Sequence, residues 1–197
     1  VTRDLIVKRG GGQLFHLGPA RDHSIIVGLD VALTTLDQAR SVLCTGLFDD
    51  TKDTLESYDD LLADMAGRAL PMICANPDKI VRSGDRILYC AGSLAERYAA
   101  RGGKVLMAGK PFPPIYDLAM AEAARLRGGP VQRSQVLAIG DGPETDIRGA
   151  ADYGLDALLV ADGITDARAG LAAVEASVKA LVPEARIVAT VRALAWP

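Results

Sequence analysis

The chain has 197 residues, 49% hydrophobic and 24% charged, with a formal net charge of −3 at pH 7. That length can bury a sizeable core in one domain or two, and its interspersed acids and bases exclude the basic footprint of a nucleic-acid-binding protein. No apolar run reaches the roughly 18 residues that a membrane-spanning helix needs.

The first residues, VTRDLIVKRGG, contain no signal-peptide core, so a cytoplasmic protein is expected. Thr2 to Lys8 reads as the end of a helix closed by Gly10-Gly11-Gly12. Gln13 to Leu17 reads as a strand, Asp22 to Leu29 as a short helix, and Val31 to Thr34 and Val42 to Thr45 as strands. After the polar loop Leu47 to Asp53, helical spacing over Leu55 to Ala69 puts Leu61, Leu62 and Met65 on an apolar side. Pro71 to Ala75 is an apolar strand ended by the turn signal Asn76-Pro77-Asp78. Ile80 to Arg82 and Ile87 to Cys90 flank Ser83-Gly84-Asp85 as a β-hairpin. A helix over Leu94 to Ala100 ends at Gly102-Gly103, and Lys104 to Ala108 is again a strand. Pro113 to Arg127 reads as an amphipathic helix with Ile115, Leu118, Ala119 and Leu126 inward. Cys44, Cys74 and Cys90 lie in apolar runs without CxxC spacing and read as reduced structural thiols.

The stretch VLAIGDGPETDIRGAADYGLDALLV, Val136 to Val160, carries most of the chemistry. Val136 to Ile139 suits a strand buried on both faces of a parallel sheet, and Gly140-Asp141-Gly142-Pro143 must turn the chain. Glu144, Thr145 and Asp146 then sit where helix starts collect acids and hydroxyls, Gly154 suits a C-terminal cap, and Leu155 to Val160 is the next strand. Asp141 thereby stands at the carboxyl end of a parallel strand, where open α/β sheets bind ligands. With Asp146 five residues on, the pair suits a hard divalent cation held by oxygen ligands. The plain alternative is that Asp141 caps a helix and Asp146 faces solvent. Lys110 also follows a strand and precedes a helix, but Lys104 and Pro111 stand where a P-loop needs Gly and Ser or Thr. As a point charge it suits a phosphoryl group beside a carboxylate, unless it is a solvated surface lysine.

Gly109 to Tyr116 (GKPxxxIY), followed by Val136 to Gly154 (hhhhGDGxxTDIxGAxxxG), resembles motifs III and IV of the haloacid dehalogenase (HAD) superfamily. Upstream, Ala75 to Asp78 (ANPD), Gly84 to Arg86 (GDR) and Ala91 to Glu96 (AGSLAE) are similar to the α/β cap of its class IIA branch of nucleotide, p-nitrophenyl and sugar-phosphate phosphatases. The resemblance implies an α/β fold: the C-terminal half of a doubly wound parallel core with an inserted class IIA cap. Residues 1–12 would be a remnant of the core, 13–104 the cap and 105–197 the C-terminal half of the core. Strands Val105–Ala108, Val136–Ile139, Ala157–Val160 and Ile187–Ala189 would pair in one core sheet. It further implies Mg²⁺-dependent hydrolysis of a small phosphorylated metabolite through an aspartyl-phosphate. By motif position Lys110 would hold the nucleophile and the phosphoryl oxygens, Asp141 would bind Mg²⁺, and Asp146 would act from behind the metal's direct ligands. Asn76, Asp78, Gly92 and Ser93 would belong to the cap surface facing the substrate.

The chain departs from that pattern upstream of the cap, where the resemblance calls for motif I and for the phosphate-binding Ser or Thr of motif II, and neither is found. The family's DxDG, which supplies the nucleophile, occurs nowhere in the sequence, so the chain alone is expected to be inactive. The nearest imitation, Asp49-Asp50 in LFDDT, has adjacent acids in a surface loop, and His16 and His23 are expected to lack partners. Without the strand that carries DxDG, an exposed apolar sheet edge and a poorly soluble chain or a homo-oligomer are expected. The second reading is a non-catalytic binding or assembly module built from the cap and a partial core.

Overall fold

The computed structural model describes residues 1–83, 86–162 and 170–195, with backbone alone at 82–83 and 86–87. The chain divides into two compact units, Val1–Gly109 and Lys110–Pro197. Among the described residues no helix is long and apolar enough to cross a membrane.

The first unit runs α1 (Thr2–Arg9), β1 (Gln13–Leu17), β2 (Ala32–Leu33), β3 (Ser41–Cys44), α2 (Asp59–Gly67), β4 (Met72–Cys74), β5 (Ile80–Ser83), β6 (Arg86–Tyr89), α3 (Ala91–Ala99) and β7 (Val105–Met107). Five of these strands form a parallel sheet in the order β2-β1-β3-β4-β7, and β5 pairs antiparallel with β6. Every residue of β3 and β4 is buried, as a parallel sheet covered on both faces requires. Alternation sends Val42, Cys44, Met72 and Cys74 to one face, where they meet Leu62 and Met65 of α2 and Leu94 and Tyr98 of α3. Leu43 and Ile73 face the other way, against Leu5 and Ile6 of α1 and the flank of a 3-10 turn, Ala20–Ile26. The hairpin expected around Ser83 is present as β5 and β6, although Gly84 and Asp85 lie outside the described residues.

Two expectations about the first unit's elements need correction here. Val105–Met107 does not join Val136–Ile139; it pairs with β4 through Met72↔Val105, Ile73↔Leu106 and Cys74↔Met107. The edge of β4 gives that apolar strand a complete ladder, and Ala108 continues into the cluster around Ile73. The short helix after β1 is a 3-10 turn over Ala20–Ile26 rather than Asp22 to Leu29.

His16 is not without partners: Nε2 lies 2.9 Å from Thr45 Oγ1, and its ring meets that of His23 edge-on at 4.9 Å. Burial, reinforced by His23 and opposed by Asp22, lowers its pKa below 6.5. The unfolded chain therefore takes up the proton first. The stability contributed by neutral His16 is full above about pH 6.5 and is lost as the pH falls through the lowered folded value. Chemical denaturation at pH 7 and pH 5 should show a loss of stability at the lower pH that shrinks in His16→Asn. An unchanged slope in that variant would assign the loss to other groups.

The second unit runs α4 (Pro113–Arg127), β8 (Leu137–Gly140), α5 (Arg148–Tyr153), β9 (Asp156–Val160), α6 (Leu171–Leu181) and β10 (Arg186–Val191). Its three parallel strands are ordered β10-β9-β8. One face is buried by Ile147, Ala150, Val174 and Val178 packed on Ala157 and Leu159. Leu137 and Ile139 alternate to the opposite face of β8, which stands at the edge of this sheet, and are each 46% exposed, so the strand is not buried on both faces as expected from its apolar run. The helix Pro113–Arg127 has the bounds read from the sequence, but none of its residues is buried and Leu126 is 71% exposed. Its inward contact is Tyr116, stacked on Tyr153 at 5.1 Å, with Gly149 giving the phenol room.

Candidate active site

Strand β8 ends at Gly140, and Asp141 follows at the carboxyl edge of the sheet. There Asp141 lines a cavity of about 350 Å³ with Ile139, Val160, Asp162 and Leu194. After Gly142 the chain makes one π-helical turn, Pro143–Ile147, before α5, a geometry that often marks functional positions. Proline at its start costs nothing because the first amides of a helix have no internal acceptor.

Asp146 sits inside that turn, and both of its oxygens are engaged. Oδ2 accepts the Gly142 N–H at 3.1 Å, and Oδ1 forms an ion pair with Lys110 Nζ. The Asp146 side chain is 12% exposed and that of Lys110 48%, so the lysine reaches from solvent onto a largely covered carboxylate. The two glycines of the GDG sequence are explained by what touches them. A Cβ on Gly140 would overlap Asp146 Cβ and Cγ, and one on Gly142 would overlap Thr145 Oγ1. Glycine lets the turn lie flat on the strand end, which fixes Asp146 beneath Lys110.

The remaining sequence candidates lie in the first unit. Asn76 Oδ1 accepts the Asp78 N–H at 3.0 Å, closing the turn read from Asn76-Pro77-Asp78. Ser93 is buried and its hydroxyl donates to Lys79 O at 2.6 Å. Gly92 N–H donates to Asp78 O at 3.0 Å, and a Cβ there would overlap Pro77 O. Gly92 and Ser93 thus pin the start of α3 to the loop that carries Asn76 and Asp78. Asp49 caps its own loop, accepting from Thr51 N–H at 3.0 Å and Thr51 hydroxyl at 2.6 Å and pairing with Lys52 at 2.9 Å. These bonds, led by the Thr51 hydroxyl, hold its pKa down to about 2.

Asp162 was not among the sequence candidates. It shares the cavity wall with Asp141 and lies 3.6 Å from Arg192. Its signal was available: like Asp141, it is an acid just past the end of an apolar strand.

The donor set of the second unit suits a hard cation. Both histidines, His16 and His23, and all three cysteines belong to the first unit, so Lys110 to Pro197 offers neither imidazole nor thiolate. Among the described residues no group of three His, Cys, Asp or Glu side chains is gathered to enclose a metal by itself. Mg²⁺ needs only one or two protein carboxylates and fills its octahedron with water and phosphate oxygen, so Asp141 fits it.

Comparison with known proteins agrees with this geometry. A HAD-hydrolase-like family model matches residues 107–190, from the end of β7 to β10. A crystal structure of a haloacid dehalogenase-like hydrolase from Brucella suis 1330 is 48% identical and superposes with a TM-score of 0.70, over 83% of this chain and 62% of that one. Over residues 107–190 the chain therefore resembles the HAD-like hydrolases. The fold also resembles a p-nitrophenyl phosphatase from Archaeoglobus fulgidus, at 19% identity and a TM-score of 0.69, over 98% of this chain and 68% of that one. A dihydroxyacetone phosphatase of Corynebacterium glutamicum (strain R) is 35% identical over 95 residues, which are 48% of this chain and 32% of that protein. The chain therefore spans under two thirds of the Brucella protein and about a third of the Corynebacterium one.

Proposed function

We propose that this HAD-like chain serves a cytoplasmic, Mg²⁺-dependent phosphatase that acts on a small phosphorylated metabolite through an aspartyl-phosphate. The attacking carboxylate in this reading is one that these 197 residues do not supply in DxDG form. The observation that carries the reading is the Lys110–Asp146 pair held beside Asp141 at the carboxyl end of β8. The printed activities of the Archaeoglobus and Corynebacterium proteins lend it support.

In this reading Asp141 is the chain's direct ligand for Mg²⁺, which when bound supplies charge neutralisation to the phosphoryl oxygens. Lys110 donates to a non-bridging phosphoryl oxygen and to the attacking carboxylate, lowering the repulsion between two anions that must meet. Asp146, with Oδ1 on Lys110 and Oδ2 on the Gly142 N–H, keeps the ammonium aimed and would act on a bound cation from behind its direct ligands. Asn76, Asp78, Gly92 and Ser93 shape the loop assigned to the substrate side of the cap. The exposed Leu137 and Ile139 support self-association of the chain as a homo-oligomer.

The test couples intact mass, metal binding and turnover. The protein from its natural source, at whatever chain length its mass reveals, should hydrolyse p-nitrophenyl phosphate with Mg²⁺. Asp141→Asn should weaken metal binding at least tenfold, read with Mn²⁺ as the probe. The 197-residue chain should keep Asp141-dependent metal binding without turnover. Turnover by that chain alone would return the nucleophile to Asp49 or Asp50, and no hydrolysis by either form would sink the reading.

A further inference from the structure

The parallel sheet of the first unit has a switch point of which the phosphatase reading uses only Asn76. From β1 the chain crosses to β2 through the 3-10 turn Ala20–Ile26, on the face covered by α1. From β3 it crosses to β4 through α2, on the opposite face. In the order β2-β1-β3-β4-β7 the connections therefore diverge between the carboxyl ends of β1 and β3. Such a divergence opens the crevice in which open α/β sheets take ligands.

Two cavities lie there, of about 80 and 360 Å³, and Asp22 and Thr45 line both. The strand ends are built to leave this space. Gly18 and Gly46 follow β1 and β3 with φ of 152° and 157°, conformations that side chains rarely adopt. A Cβ on Gly18 would overlap Thr45 Oγ1, which the glycine instead leaves bonded to His16. Arg21 from the β1 side meets Asp50 from the β3 side, with 2.5 Å between Nη2 and Oδ2.

The charges in the wall decide the ligand class. Arg21 is already paired, and Asp22 and Asp50 together outweigh it, so a free anion would meet net negative charge. Two carboxylates that accept, a guanidinium that donates and the Thr45 hydroxyl and Asn76 amide that do both are complementary to hydroxyl groups. Val81, Leu88 and Tyr89 add apolar surface for carbon-bound hydrogens. We propose that the first unit binds a small, uncharged polyhydroxylated molecule between the carboxyl ends of β1 and β3, through Arg21, Asp22, Thr45 and Asp50. The site lies wholly in the first unit, whereas Lys110, Asp141 and Asp146 lie in the second, so it stands whether or not the phosphatase reading does.

Amide NMR titration of the 197-residue chain with glycerol and with xylitol tests this, using inorganic phosphate as the anion control. Saturable shifts should appear at Gly18, Arg21 and Gly46, stronger for xylitol, with little response to phosphate. Asp50→Asn should weaken binding at least tenfold by removing charge-assisted hydrogen bonds. Arg21→Lys, which keeps the charge but not the planar fork, should weaken it less, and Asp141→Asn should leave it unchanged. The proposal is overturned by an absence of saturable shifts at tens of millimolar polyol, by shifts confined to other residues, or by phosphate binding more tightly than either polyol.

Discussion

Gly140→Ala is expected to destabilise the second unit by about 3 kcal/mol, the upper end of what overpacking a well-filled site costs. The added methyl would overlap Cβ and Cγ of Asp146, and that side chain cannot swing aside without losing the Gly142 N–H on one oxygen and Lys110 on the other. Moving the whole turn Pro143–Ile147 is no easier, because Ile147 is 1% exposed in the cluster that holds α5 and α6 on the sheet. Urea unfolding of the variant should show a lowered midpoint at constant slope. The decisive comparison is with Asp146→Ala. If Asp146 is what forbids the methyl, the double variant should be at least about 1 kcal/mol more stable than the two separate losses predict. Strict additivity, or a neutral Gly140→Ala, would show that something other than the carboxylate's position fixes glycine at the strand end.

That glycine illustrates how much of the site was legible in the sequence. The string GDG between an apolar run and an acidic turn announced a strand, a tight turn and a helix start, because glycine, proline and acids act locally. The bounds of α4 were legible for the same reason: Pro113 opens the helix and Gly128, at φ 74°, closes it. Gly154 caps α5 with φ 76°, as read from its place after the apolar face. What could not be read was which distant partner each element finds. Val105–Met107 is a short apolar triad whose sequence says strand but not which sheet edge, and β4 takes it. The apolar stripe of α4 promised burial of Leu126, yet the helix makes its inward contact through Tyr116 on Tyr153 and leaves Leu126 in solvent. His16 looked solitary because Thr45 lies 29 residues away and is brought beside it only by the β1–β3 register. Lys110 and Asp146 are separated by 36 residues, and their ion pair was not legible in the sequence, which placed Lys110 only beside an unspecified carboxylate at the same sheet edge.

If the proposed phosphatase reading holds, Lys110→Ala should reduce Mg²⁺-dependent turnover about 10³-fold, or about 4 kcal/mol of transition-state stabilisation, while changing stability by less than about 1 kcal/mol. The asymmetry follows from exposure. With its side chain 48% exposed, Lys110 contributes to folding as a screened surface charge does. In the proposed reaction the same ammonium faces charge that builds only as the phosphoryl group transfers, where a preorganised cation counts most. Lys110→Arg should not restore the rate, because a planar guanidinium cannot occupy the point-charge position beneath which Asp146 is fixed. Asp146→Asn should cost less, about 10- to 100-fold, since it removes the residue that positions the lysine and not the charge itself. The double variant should then be no slower than Lys110→Ala alone, as expected of two groups that act as one unit. Multiplying losses would instead mean that Asp146 has a task of its own toward metal or water. Turnover unaffected by Lys110→Ala would detach the ion pair from catalysis and leave it a fastening between the start of the second unit and the turn after β8.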